Sequence, residues 1–374
     1  MTSETTPTPA AVRLTARPHP LDGFDQAISD FDGVVQEMTV LFARQRWPGT
    51  VLEPWLYEDN GTPVAAALVM VQKLPAALGH LAVVKWGPIL RDETAPARIA
   101  MHQAAVDHLV AEYARGRGMM LSIMAHAERE PALHAAERLW GMGFRPGSAL
   151  LFPSRYLVRV RLSDADQRAS YSQKWRYHLN KSEKQGLTFE PAGPEALPRF
   201  SALYDAMSER KRFPDYSAYH TLPHLMAWDS PALRPQLFFV THQGRDVAGA
   251  VIFTAGRTAV YLYGATNEQA LPLRAGYFMH ARIIAWLRDE CRAEWYDLGG
   301  TDGFQGLHQF KSGMVGSAGR IVPVPPIGNY AVSWRARLSG TLAYAARDGF
   351  QKLRAFRNRL LSRGLARPNQ DQQP

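Results

Sequence analysis

The chain has 374 residues, 46% of them hydrophobic, and a net charge of +9. That length exceeds what one hydrophobic core usually serves and favours two domains. The lone cysteine, Cys291, excludes a disulfide framework and any Cys-based zinc site, and it fits a reducing compartment. No apolar run approaches the roughly 18 residues of a membrane span.

The first twenty residues are rich in Thr and Pro and lack an apolar segment, so they read as a disordered tail and not a signal peptide. Asp25 to Arg46 reads as a helical region ended by Trp47-Pro48-Gly49. "VLEPWLYEDNGTPVAAALVMVQKL" is predicted as two strands around the turn Asp59-Asn60-Gly61. A further strand, "HLAVVKWGPIL", ends at Gly87-Pro88. An amphipathic helix closes at Gly116 and Gly118, and "LSIMAH" is a short strand. The segment "PALHAAERLWGMGFRPG" is a second helix with a Gly stop, and "RYLVRV" is a strand.

The second half repeats this order without a residue-level repeat. It has a basic helix, "QKWRYHLNKSEKQG", and a second helix ending in "MSERK". Three strands follow between Pro235 and Thr266, then the helix "LRAGYFMHARIIAWLRDE" and the strand "AEWYDLGG". Strands grouped in hairpins with helices at intervals argue for a mixed α/β fold. Residues 331–374 hold nine basic side chains against two acidic ones, so +7 of the net charge lies there and the body carries only +2. In that segment Trp334, Leu338, Leu342, Ala346, Phe350, Leu353 and Leu360-Leu361 recur mostly at three- and four-residue steps. Such a basic amphipathic helix suits a membrane surface, or packing on the body or a partner subunit.

Individual motifs are weak. The Gly pair of Asp297-Leu298-Gly299-Gly300 lets a ligand approach the backbone, but alone it reads first as an ordinary strand-ending turn. Phe310-Lys311 can place a fixed cation where an anion sits or develops; spacing alone favours a surface lysine beside a core Phe. Lys174, Lys181 and Lys184 can share one helix face suited to a phosphate ester, or form a solvated face. "GMGFRPG" follows a helix instead of linking a strand to a helix, so it is no dinucleotide loop. "HAE" at 126–128 lacks the Cys pair of a zinc deaminase, and HExxH, GxSxG and GK[ST] do not occur. No metal site is expected.

Taken in order, these segments resemble the FemABX family, peptidyltransferases that use aminoacyl-tRNA to build peptidoglycan cross-bridges. The resemblance runs from about Val34 to Val332. It includes Gln36 and Trp47, the "LYEDNGTPVAAALVM" hairpin, the "YSQKWRYHLNKSEKQG" helix, "MSER" at 207–210 and "LYGAT". Its most specific part is "IIAWLRDECRAEWYDLGG" followed by "FK". It implies two tandem GNAT-like (acyl-CoA N-acyltransferase) domains; the basic C-terminal helix read from the charge and apolar spacing lies outside it and completes the expected mixed α/β architecture. The expected division is a tail at 1–20, domain 1 at 21–160, domain 2 with the active site at 161–333, and an extension at 334–374.

The resemblance implies N-acyl transfer, with Lys311 at the family's catalytic FK position; for the base, Asp302 is a loop candidate and the substrate's own groups could also serve. Expected substrate-binding residues are Arg44, Lys174, Lys181, Arg212, Tyr216, Asp297, Gly299, Gly300 and Phe310. Phe42 stands where family members that use a nucleotide-linked precursor carry a phosphate-binding lysine, and the arginine downstream of "MSER" has no clean match. No cofactor is expected; the donor would be aminoacyl-tRNA or acyl-CoA. The acceptor would be a lipid-linked cell-wall precursor or another amine, met in the cytoplasm at the inner membrane face. The body's +2 is a weak electrostatic footprint for tRNA. Two alternatives remain at this level. One is an acyl-CoA-dependent GNAT enzyme on another amine, although "PLRAGYFM" lacks the usual pyrophosphate spacing. The other is a non-catalytic Fem-like scaffold in envelope polysaccharide assembly.

Overall fold

The computed structural model describes residues 12–75, 78–150, 153–211, 218–301 and 303–364. The strands in chain order are β1 (Thr15–Pro18), β2 (Val51–Asp59), β3 (Thr62–Lys73), β4 (His80–Lys85), β5 (Ile89–Leu90), β6 (Met120–Met124), β7 (Arg145–Pro146), β8 (Ser154–Arg159), β9 (Leu187–Ala192), β10 (Gln236–His242), β11 (Arg245–Phe253), β12 (Thr258–Thr266), β13 (Trp295–Asp297), β14 (Arg320–Pro323) and β15 (Gly328–Tyr330). The helices are α1 (Leu21–Ala27), α2 (Val40–Arg46), α3 (Arg98–Leu109), α4 (Ala135–Gly141), α5 (Asp164–Ser170), α6 (Gln173–Ser182), α7 (Leu197–Lys211), α8 (Leu222–Met226), α9 (Ala270–Leu273), α10 (Ala275–Glu290), α11 (Gln305–Val315) and α12 (Trp334–Gly364).

Among the described residues these strands form two sheets. One has the order β1-β2-β3-β4-β6-β15-β7 with β5 on β3, and the other β14-β8-β13-β12-β11-β10-β9. Each is antiparallel except for one parallel pair, β4 with β6 and β12 with β13. The Asn60-Gly61 turn closes the β2–β3 hairpin with both residues at positive φ, as a two-residue primed turn requires. The first sheet packs α3 against Val69, Val84 and Leu121, and the second packs α6, α10 and α11 against Val158, Ala250 and Tyr296.

Three features depart from the sequence reading. Thr15–Pro18, placed in the tail, pairs with β2. The Asp25–Arg46 region is not one helix: residues 32–33 bond the backbone of Leu90 and Arg91, and a Cβ on Gly33 would lie 2.8 Å from that of Ile89. Backbone pairing there replaces helical bonds. The strand β8, read as the end of domain 1, lies in the second sheet, and β15, read in domain 2, lies in the first. The two halves therefore exchange strands at residues 154–159 and 328–330. Alternation of apolar residues marks a strand but not the sheet it joins.

The domains share an apolar core in which Phe31, Val34 and Met38 meet Leu225, Trp228, Phe253 and Val260. Arg292 ties the seam, donating to the carbonyls of Asp30, Phe31 and Ala255. The turn at Gly256 touches domain 1 so closely that a Cβ would lie 2.3 Å from the Val34 carbonyl oxygen. Overpacking against fixed backbone typically costs about 1–3 kcal/mol. Gly256→Ala is therefore expected to lower the urea midpoint by that equivalent, whereas Gly244→Ala, with open space around its Cβ, tests only its positive φ.

Candidate active site

In the second sheet β12 and β13 run parallel only over Thr258–Val260 and Trp295–Asp297. Beyond Asp297 the chain leaves the ladder while β12 continues to Thr266, so the strands part there. Gly299 makes the departure possible: its φ is +72°, and its N–H donates to Asp297 Oδ1 at 2.8 Å.

The helix α11 carries Lys311 into this opening. Gly313 lets α11 approach α6, since a Cβ would lie 2.8 Å from Ser172 Oγ and 3.2 Å from the Trp175 ring. Phe310 anchors the helix in an aromatic cluster, with ring centroids 4.9 Å from Tyr277, 5.6 Å from His280 and 6.3 Å from Trp175. Lys311 is 7% exposed, and its Nζ donates to the carbonyls of Leu298 and Gly300, both at 2.5 Å. A cation is thus held at the parting of β12 and β13.

His280 lies on the same side of the sheet, 3.1 Å from Tyr296 Oη. Burial, reinforced by the Lys311 charge, pushes its pKa down to about 3, so the ring is neutral. Burial, with Arg138 nearby, likewise lowers His102 to about 4. An unfolded histidine takes up its proton near pH 6.5, so between that value and about 4 the unfolded chain binds more protons and stability falls with pH. Each unit of difference is worth about 1.4 kcal/mol per group. Denaturation midpoints are expected to fall from pH 6.5 to 5, and His102→Gln is expected to flatten that slope.

On the opposite, domain-facing side, Asp297 accepts from Arg155 Nη2 at 2.6 Å and Nε at 2.9 Å. Glu37 of domain 1 accepts from Lys85 at 2.7 Å and from Trp86 Nε1. Burial works to raise the Glu37 pKa, but Lys85, Trp86 and Arg155 together hold it below the usual value. A third group lies on α6, where Lys174 and Lys181 are exposed and flank His178 one turn from each. Desolvation, Arg274, Lys174 and Lys181 all lower the His178 pKa, which places these cations around one ring. Among the described residues no cluster of His, Cys and carboxylate side chains is arranged to hold a metal.

The structure brings Lys311, Gly299, Gly300 and Phe310 together, with Phe310 acting as packing. Asp297 adjoins them but is engaged by Arg155. Lys174 and Lys181 share a face of α6. Arg44, on α2, is half exposed, lies 3.9 Å from Asp22, and does not line the cavity between the domains. Phe42 is buried against Trp47, in keeping with a core role. Asp302, Arg212 and Tyr216 lie outside the described residues. Sequence reasoning missed Glu37, His126, Arg155, His178, Arg274 and His280. Arg155 and Asp297 are 142 positions apart, so no local pattern announces the pair.

Residues 169–312, from α5 to Ser312, match the family described as acetyltransferase (GNAT) domain. Comparison with curated proteins finds no match. Among solved structures, FemX aligns with a TM-score of 0.68 at 15% identity, covering 85% of this chain and 97% of that one. The C-terminal domain of a protein from Agrobacterium fabrum, described as a lysylphosphatidylglycerol synthetase, aligns at 0.54 and 14% identity, covering 86% and 95%. A conserved protein of unknown function from Bacteroides thetaiotaomicron aligns at 0.54 and 11% identity, covering 85% and 98%. The chain has the fold of FemX, mixed α/β layers built on two sheets, and residues 169–312 in its second half carry the match to the acetyltransferase (GNAT) domain family.

Proposed function

We propose that the chain is a Fem-type N-acyltransferase that moves an aminoacyl or acyl group from an activated ester donor to an amine of a cell-wall precursor. The observation that carries this reading is Lys311, buried where β12 and β13 part and bonded to the carbonyls of Leu298 and Gly300. In the reaction the neutral amine attacks the acyl carbon and a C–N bond forms. The acyl C–O bond of an ester donor, or the C–S bond of a thioester donor, breaks; the amine loses a proton to a base, and the leaving alkoxide or thiolate takes one up. Lys311 supplies positive charge beside the tetrahedral oxyanion in a low-dielectric setting, where such charge is worth most. Asp302 is retained as the loop candidate for the base. Lys174, Lys181 and Arg274 suit the phosphates of a donor such as aminoacyl-tRNA.

The reading extends to the inner face of the membrane. Among the described residues no helix is long and apolar enough to cross a bilayer. On α12, however, Trp334, Leu338 and Leu342 follow each other at four-residue steps and are 68%, 51% and 50% exposed, while Tyr344 and Gly340 pack on the body. An outward apolar stripe on a segment of charge +7 suits the interface of an anionic bilayer.

The test is to incubate the protein with charged tRNAs and, separately, with short acyl-CoAs, each with an extract of lipid-linked precursors. Mass spectrometry then reads acyl additions. A gain with charged tRNA, lost in Lys311→Ala, is the expected result; a gain with acyl-CoA alone would reassign the donor. Co-sedimentation with phosphatidylglycerol vesicles checks the membrane surface, and Leu338→Glu is expected to release the protein.

A further inference from the structure

A partly open cavity of about 40 Å³ lies at the seam of the domains, bounded by Gln36, Trp86, His126, Arg129, Thr258 and Val260, among others. It is on the face of the second sheet turned away from Lys311. Four side chains at this cavity have a buried polar atom with no partner among the described residues: Gln36 Oε1, His126 Nε2, Arg129 Nε and Thr258 Oγ1. Buried polar atoms are nearly always paired, and four residues lining one space that each hold such an atom are a concentrated exception; His126 and Arg129 also line a neighbouring cavity beside Pro88 and Glu93.

Their chemistry is specific. The Gln36 oxygen is an acceptor. The His126 ring, stacked on Trp86 at 5.5 Å, also bonds the Trp86 backbone. A ring that donates to that carbonyl through Nδ1 presents Nε2 as a second acceptor. Burial and the nearby Arg129 and Arg155 push the His126 pKa well down, so it stays neutral. Arg129 Nε is a donor, and Thr258 Oγ1 is either. The charges at the rim are already paired, Lys85 with Glu37, Arg155 with Asp297 and Arg129 with Glu93. An ionic ligand would gain no free counter-charge, whereas an uncharged group presenting both an N–H and a C=O would match acceptors and donors together. The volume holds roughly three water-sized spheres, the extent of one amide's heavy atoms.

We infer that this interdomain cavity is a binding site for an uncharged amide, such as one peptide unit of the acceptor. The assignment to the acceptor rests on the function proposed above; the amide site itself does not. It would hold the acceptor's peptide across the seam while its amine reaches the Lys311 face.

The test needs no donor and no turnover. N-acetylglycinamide is titrated into the full chain while the Trp86 indole N–H is followed by NMR, with the signal assigned through Trp86→Phe. A saturable shift is expected, weaker with methyl acetate, which has no N–H, and absent with zwitterionic glycine. Losing one neutral hydrogen bond weakens binding by about 3- to 10-fold, and this is expected for Thr258→Val and for Gln36→Met. Thr258→Ser, which keeps the hydroxyl, should bind as the parent does. No saturable shift, equal binding of glycine, or parent-like affinity in both Thr258→Val and Gln36→Met would overturn the proposal. Amide binding in a protein that transfers nothing from any donor would leave the site standing and refute the acyltransferase reading.

Discussion

Lys311→Ala is expected to lower the turnover of acyl transfer by about 10²- to 10³-fold, the usual loss when one donor to a developing oxyanion is removed. The KM for donor should change little, because the cation acts on charge that exists only in the transition state. A stability effect should accompany the kinetic one. The variant removes the Nζ that donates to the Leu298 and Gly300 carbonyls. A buried acceptor deprived of its donor costs about 1–3 kcal/mol. Lys311→Met fills the space without the charge and separates the two effects: it should be as inactive as the alanine variant and lose less through the cavity. Full transfer by a folded Lys311→Ala would remove Lys311 from the chemistry. Steady-state kinetics by mass spectrometry and urea denaturation of the same preparations decide between these outcomes.

The second large effect is structural. Arg155 and Asp297 form a two-bond ion pair whose side chains are 22% and 11% exposed. Glu37 adds its charge from the other domain, and the two carboxylates together hold the Arg155 pKa above its usual value although burial works to lower it. Removing one partner of a buried pair strands the other, typically at about 3–5 kcal/mol. Arg155→Met and Asp297→Leu are each expected to lower stability on that scale. The double variant should recover a large part of it, since an apolar pair strands no charge. Losses that simply add would mean that the two groups do not interact. The prediction also concerns function, because Asp297 holds the Gly299 N–H and through it the turn that Lys311 grips.

The helices and hairpins of this chain are legible in its sequence because they rest on local periodicity and turn chemistry. Asn60-Gly61 announces the β2–β3 turn, and the apolar spacing from Ala275 to Leu287 announces α10. The Asp297-to-Lys311 block is legible as a motif, although it shows Phe310-Lys311 only as residues that follow a loop. The fold places them on α11, where close packing at Gly313 turns the lysine inward. By itself the sequence determined the mixed α/β class, the principal hairpins and long helices, the basic C-terminal segment and the candidate lysine. The tertiary structure alone decided the sheet membership of β8 and β15, the pairing of Arg155 with Asp297, and the polar cavity at Gln36, His126, Arg129 and Thr258. Each of these depends on contacts between residues far apart in the chain, and the energy of such a contact leaves no trace in the neighbourhood of either residue.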